Sequence, residues 1–179
     1  MTFVGIDGGL ANTGYCVLDL YGSVKAIGVV RTASQRKRRK LHHADDLVRR
    51  LGVIEEALQK VFEVHAPAVA AIEQFTHLRH AGAAAKYMAA WATCRRMLVE
   101  WCPVLIPHPD EVKAAMGLKR TASKAEMIGA VRAAQPLVEW PVPKGAWEHR
   151  ADAYAVARFV MQSDMGRMLV KSGGHDAKV

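Results

Sequence analysis

Three cysteines in 179 residues, Cys16, Cys94 and Cys102, are too few and too scattered for a disulfide framework, and no Cys-x-x-Cys pair or cysteine-histidine metal finger is present. They read as small core side chains of a protein kept in a reducing compartment. Long apolar runs are also missing, since none approaches the roughly 20 residues that span a bilayer. The N-terminus reaches Asp7 through one short apolar run, without the basic stretch and long apolar region of a signal peptide. These absences point to a cytoplasmic protein. No internal repeat interrupts the chain. Acidic residues are in deficit, 17 against 25 basic, and the formal charge of +8 fits a polyanionic partner, although many soluble proteins share that balance. Apolar residues are abundant: 51% of the chain is hydrophobic, enough for one real core. We expect a single domain over residues 1–165 and a polar, disordered tail over 166–179.

The first apolar run, Phe3 to Ile6, meets Asp7-Gly8-Gly9, where glycines permit a tight turn. Two β-rich segments follow, Thr13 to Leu20 and Val24 to Val30, joined by Tyr21-Gly22-Ser23, and predict an antiparallel three-stranded meander. From Leu41 to about Val64 the pattern becomes helical, with Leu47, Leu51, Ile54, Leu58 and Val61 at spacings of four and three, and Pro67 closes it. Val69 to Ile72 is a fourth strand ending at Glu73. An alanine-rich helix over 81–101 carries Tyr87, Met88, Trp91, Met97 and Trp101, enough apolar surface for two buried sides. Val104 to Ile106 reads as a fifth strand, Pro109 to Met116 and Ser123 to Ala134 as short helices with Ser123 as an N-cap, and a proline-rich loop runs to Lys144. Trp147 to Met161 is the last expected helix, small along Ala151, Ala153, Ala155 and Ala157. The order predicts an α/β fold, a mixed sheet with helices packed on its faces.

Asp7 and Glu73 occupy equivalent places. Each ends a short apolar strand, where a carboxylate can leave the core and point into a cleft beyond the sheet, and adjacent central strands would bring the two together. Asp152 lies on the last helix with His149 three residues earlier, on nearly the same face. An oxygen-rich set of this kind suits Mg²⁺ or Mn²⁺, and a pair of such ions can activate water and stabilise the departing oxygen of a phosphodiester. An acid at one strand end is ordinarily just solvated. Acids from three separated segments that the fold would converge carry more weight.

Four segments, GIDGGLANTGYCVL, AIEQF, PDEVKAAMGLKRTASKAEM and HRADAYAVA, occur in an order and spacing that resemble the RuvC family of Holliday junction resolvases, across residues 3 to about 160. The resemblance implies a ribonuclease H-like fold, a mixed five-stranded sheet flanked by helices on both faces. It implies that Asp7, Glu73 and Asp152 are the catalytic carboxylates and metal ligands, with His149 in the fourth ligand position. Lys113 and Lys124 look like the family's basic residues beside the cleaved phosphate, suited to countering transition-state charge; their other reading is as solvated helix lysines. The sequence departs from the family pattern in three places. Gly8 stands where the family commonly has Pro, which would loosen the turn after Asp7. The stretch after Phe75 lacks a clear counterpart of the aromatic-bearing loop that opens the junction centre in some relatives; Phe75 is a candidate substitute, with core packing its other reading. The run Arg36, Lys37, Arg38, Arg39, Lys40, beside His42 and His43, is unusually basic and reads either as a contact to a DNA arm or as a solvated charge run.

The function implied is a structure-selective DNA endonuclease that hydrolyses phosphodiesters in branched DNA with Mg²⁺, Mn²⁺ able to substitute. Paired cuts in a four-way junction imply a homodimer, and the two long helices are candidates for its interface, core burial being the alternative. A broader phage-type nuclease acting on flaps and forks is the second reading. A non-catalytic junction-binding protein would not need the acidic set. A sugar kinase or actin-like ATPase, whose first strands look similar, needs two such domains, which 179 residues do not supply.

Overall fold

The computed structural model describes residues 1–76, 81–136, 138 and 147–173. The meander forms as expected. Strands β1 (Thr2–Gly8), β2 (Asn12–Asp19) and β3 (Val24–Arg31) pair antiparallel in sequence. Asp19 holds the second turn by accepting the backbone N–H of Tyr21 and of Ser23, each at 2.9 Å, and Gly22 supplies the positive φ of 81° that the turn needs. After the one-turn helix α1 (Arg36–Arg39) and the long helix α2 (His43–His65), strand β4 (Pro67–Ile72) lies parallel to β1. Helix α3 (Ala81–Val99) leads to the short strand β5 (Val104–Leu105), parallel to β4. The five strands form one mixed sheet in the order β3-β2-β1-β4-β5.

Alternation along the strands divides the core in two. Phe3, Cys16, Leu18, Val69 and Ala71 face a layer made of α4 (Pro109–Ala115), α5 (Lys124–Ala134) and α6 (Trp147–Gln162). Val4, Ile6, Val17, Ala70 and Ile72 face α2 and α3. Helix α2 buries Ile54, Leu58 and Phe62 and stops at Ala66, whose left-handed φ of 41° turns the chain into β4. Helix α4 starts with a capping box from His108 and Glu111, and α5 with one from Ser123 and Glu126.

Two expectations need correction. Helix α3 buries one side only, through Ala90, Cys94, Met97 and Leu98, while Met88 is 40% exposed; most residues of its first two turns are exposed. Residues 166–173, expected to open a disordered tail, belong to helix α7 (Asp164–Gly173), which packs back on α6. Ser163 caps it by accepting the Gly166 N–H at 3.1 Å, and Gly166 lets its backbone lie against Val160 and Met161. Residues 174–179, and most of the proline-rich loop, lie outside the described residues. Among the described residues, no helix is long and apolar enough to cross a membrane.

Helix α6 lies against β1 and β2 more closely than side chains ordinarily permit. A Cβ on Gly5 would stand 2.2 Å from the Ala157 nitrogen and 2.3 Å from the Ala153 oxygen, and one on Gly14 would stand 2.0 Å from the His149 oxygen. The clashing atoms are backbone, so no rotamer change relieves them. We expect Gly5→Ala to destabilise the protein by about 3 kcal/mol or more, beyond ordinary overpacking. Gly52→Ala, in a helical position with nothing within 4 Å of the added carbon, should instead stabilise by about 0.5–1 kcal/mol. Thermal melts of the two variants check the contrast.

Candidate active site

The register of the parallel pair β1 and β4 sets Ile6 opposite Ile72, so Asp7 and Glu73 follow as neighbours at one edge of the sheet. Phe3, Gly5 and Asp7 share a face, as do Val69, Ala71 and Glu73, and it is the face that α6 covers. Gly14 is the cross-strand partner of Asp7, and its missing side chain admits the first turn of α6. His149 therefore reaches Asp7, with Nδ1 and Oδ2 2.6 Å apart. Asp152 follows one helical turn later. The turn beyond Asp7 is not loose, despite Gly8: the Gly9 N–H donates to the Asp7 carbonyl at 3.2 Å, and the Thr13 hydroxyl to the Gly9 carbonyl at 2.7 Å.

These acids crowd one another with little water to separate them. Burial, then the charges of Asp152 and Asp7, push the Glu73 carboxyl up to about 7, against the opposing pull of Lys113 and Lys124. Burial and Asp7 push Asp152 up to about 7 as well, with Lys124 and His149 opposing. The bond to Asp7 holds the His149 imidazole above its ordinary range, so it favours the charged form. The Tyr87 hydroxyl feels the same acids: burial and then Asp7 and Glu73 raise it well beyond a usual tyrosine.

Lys113 and Lys124 join Glu73 and Asp152 in the walls of one cleft of about 260 Å³. Neither lysine is a loose surface group. Lys113 Nζ donates to the Arg120 carbonyl at 2.7 Å, and Lys124 Nζ to Glu148 at 2.8 Å. The basic run does not enter this cleft; it follows β3, two strands from β1. Phe75 belongs to neither half of the core and lies instead against Tyr87, ring centres 5.2 Å apart.

Three residues at the site were not singled out from the sequence. Trp91 donates its indole N–H to the Glu73 carbonyl at 2.8 Å and packs against Gly8, so α3 holds the ends of both acid-bearing strands. Tyr87 stands one turn before it on the same side of α3. Glu148 pairs with Lys124 across 24 positions. The Tyr87 and Trp91 spacing was a visible signal; nothing local foretold Glu148.

Among the described residues, no three His, Cys, Asp or Glu side chains already stand close enough around one point to hold an ion, and Asp7 is bonded to His149. The donor chemistry nevertheless fits a hard divalent cation. Three carboxylates and an imidazole meet where the cations on hand leave the two buried acids short of ionisation, and an ion shared by Asp7 and His149 would replace the proton between them.

The family model described as crossover junction endodeoxyribonuclease RuvC matches residues 3–159. A crossover junction endodeoxyribonuclease RuvC of Rhodococcus jostii is 32% identical over 166 residues, covering 88% of this chain and 79% of the relative. One from Synechococcus is 29% identical, covering 88% and 96%. The fold superposes on Thermus thermophilus RuvC, solved in complex with a Holliday junction substrate, with a TM-score of 0.72 and 26% identity over 92% of this chain and 97% of that one. By the extent of the family match, together with an acid-bearing sheet edge of the geometry described, the chain belongs to the RuvC family of crossover junction endodeoxyribonucleases.

Proposed function

We propose that the protein is a structure-selective DNA endonuclease that hydrolyses phosphodiester bonds in four-way junctions. The observation that carries this reading is the meeting of Asp7, Glu73, His149 and Asp152 at one sheet edge, beside a cleft that Glu73, Asp152, Lys113 and Lys124 line. Asp7, Glu73 and Asp152 hold the divalent metal, with His149 as the fourth donor. Mg²⁺ is the working ion and Mn²⁺ substitutes for it. Bound there, a pair of such ions would supply Lewis acidity to the scissile phosphate and lower the pKa of water. The chain's own residues do the rest. Trp91 fixes the Glu73 strand end. His149 orients the Asp7 carboxylate. Lys113 and Lys124, tethered to Arg120 and Glu148, present cations where negative charge grows on the phosphate. Cuts placed symmetrically in two strands require two such sites, so the acting species is a homodimer on branched DNA.

The direct test incubates the protein with synthetic four-way junctions, forks, flaps and linear duplexes in Mg²⁺ or Mn²⁺ and maps the cuts on each strand. Paired symmetric nicks in the junction are expected; cutting of linear duplex at an equal rate would falsify the assignment. Asp7→Asn removes ligand charge without adding bulk. It should lower turnover by roughly a thousandfold, as several kcal/mol of metal-assisted stabilisation are lost, while junction binding persists. His149→Ala should slow cleavage and alter the ratio of Mg²⁺ to Mn²⁺ activity, since imidazole favours softer ions than carboxylate does; an unaltered ratio argues against ligation.

The crowded acids also make a prediction for the metal-free protein. Both raised carboxyls favour the folded state while protonated, so their contribution is present at low pH and is lost as pH rises through about 7. Asp152→Asn should therefore raise the melting temperature at pH 8 more than at pH 5.5, and added Mg²⁺ should narrow the gap by stabilising the parent protein only.

A further inference from the structure

Strand β3 runs parallel to β1, because both are antiparallel to β2, so Thr32 lies at the same end of the sheet as Asp7, two strands away and three residues beyond Val29, the position level with Asp7. The basic segment that begins there is not a loose tail. The Thr32 N–H donates to the Ala11 carbonyl at 3.0 Å and its hydroxyl to the Leu10 carbonyl, which fastens the segment to the turn that follows Asp7. Arg50 on α2 grips Thr32 twice, Nε on the hydroxyl at 2.9 Å and Nη2 on the carbonyl at 3.2 Å. Asp46 takes the Gln35 N–H at 3.0 Å and Arg49 at 2.9 Å.

Two adjoining cavities share the walls of this segment. The larger, about 500 Å³, is lined by Arg36 and Lys40. The smaller, about 70 Å³, runs on past Arg36 to His43, Arg50 and Lys86 and touches Leu10. Asp46 is the one acid among the residues lining them, and its carboxylate is committed to Gln35 and Arg49. Among the described residues, no carboxylate pairs with Arg36, Lys40 or Lys86. Arg50 has used two of its five N–H donors. Basic side chains of α1, α2 and α3 thus line one depression on the α2/α3 face of the sheet, while the acidic cleft opens on the α6 face of the same edge.

We propose that this pocket, walled by Arg36, Lys40, His43, Arg50 and Lys86, is a phosphodiester-binding site that holds the substrate strand after it crosses the sheet edge from the acidic cleft. This rests on the reading of the protein as a branched-DNA nuclease. A strand that threads the edge meets cations on one face and acids on the other, and its backbone charge is neutralised without reference to base sequence. Because the pocket is fastened through Thr32 to Leu10 and Ala11, phosphate held there fixes the substrate relative to Asp7 itself.

The test uses the Lys40→Gln, Lys86→Gln double variant, whose two side chains are exposed and leave the fold intact, as a thermal melt checks. Junction affinity by fluorescence anisotropy should fall on the order of tenfold at about 100 mM salt. The slope of log K against log salt should flatten by about two, and the loss in cleavage should lie in KM. A scan of single uncharged methylphosphonate substitutions in the junction should weaken wild-type binding at one or two positions to one side of the cut, with no further loss there in the variant. An unchanged salt slope, or equal methylphosphonate losses in both proteins, overturns the proposal. So does stabilisation of wild type but not variant by millimolar inorganic phosphate with an unaltered salt slope, which would mark a free-phosphate site. A variant matching a wild type that binds and cuts junctions sinks the pocket alone; a wild type that binds no branched DNA sinks both readings.

Discussion

The close seating of α6 on β1 and β2 is the constraint on which the rest depends. Two glycines on adjacent strands, Gly5 and Gly14, leave no Cβ where the α6 backbone comes closest to the sheet, and Ala153 and Ala157 meet them from the helix. The consequence is positional. With α6 lifted by the thickness of one methyl group, His149 and Asp152 would leave Asp7 and Glu73 behind, and a displacement of about 1 Å suffices to cost a catalytic constellation two orders of magnitude in rate. The run of small residues on α6 therefore serves the site as much as the core.

What that seating produces is electrostatically unfavourable in the metal-free protein. Buried acids are normally paired with cations, yet here the nearby lysines are partly engaged elsewhere, Lys124 with Glu148 and Lys113 with a backbone carbonyl. Both capping boxes, on α4 and α5, secure the helices that carry these lysines along the opposite wall. The cleft thus holds cations at a set distance from the acids without letting them collapse into ion pairs. The crowding of raised acids costs some folding stability and is the kind of perturbation that gathers at functional sites.

Much of this was legible in the sequence, for a physical reason. Strand-end acids announce themselves where a short continuous apolar run stops at Asp7 and again at Glu73, and helical spacing places His149 beside Asp152. The pairing of β1 with β4 could be anticipated because it alone sets the two strand-end acids side by side, the meander leaving both β1 and β3 open to a new neighbour. What stayed hidden depends on contacts between distant segments. Trp91 read as one more apolar residue of an alanine-rich helix, and only the fold shows its indole N–H on the Glu73 carbonyl. Glu148 carries no local signal of its own, and only the packing of α5 brings Lys124 to it. Helix α7 was missed because its polar composition outweighed a short pattern with a serine cap, Ser163, in front of it.

The sheet edge is held from both faces, and this bears on how a long polyanion could be positioned without a large interface. On the α2/α3 side, two anchors reach the edge: Trp91 at the end of β4, and the Arg50 and Thr32 pair at the end of β3, the latter clamping the Leu10–Ala11 turn. On the α6 side, His149 holds Asp7. The acid-bearing strand ends and the start of the basic segment are therefore fixed to regular elements and not to a free loop, the condition under which a site keeps its geometry under load. Sheet twist turns neighbouring strand ends by some 20–25° apiece, so β3 and β4, on opposite sides of β1, aim their ends in different directions. One end of the sheet thus carries acids on its α6 face and cations on its α2/α3 face.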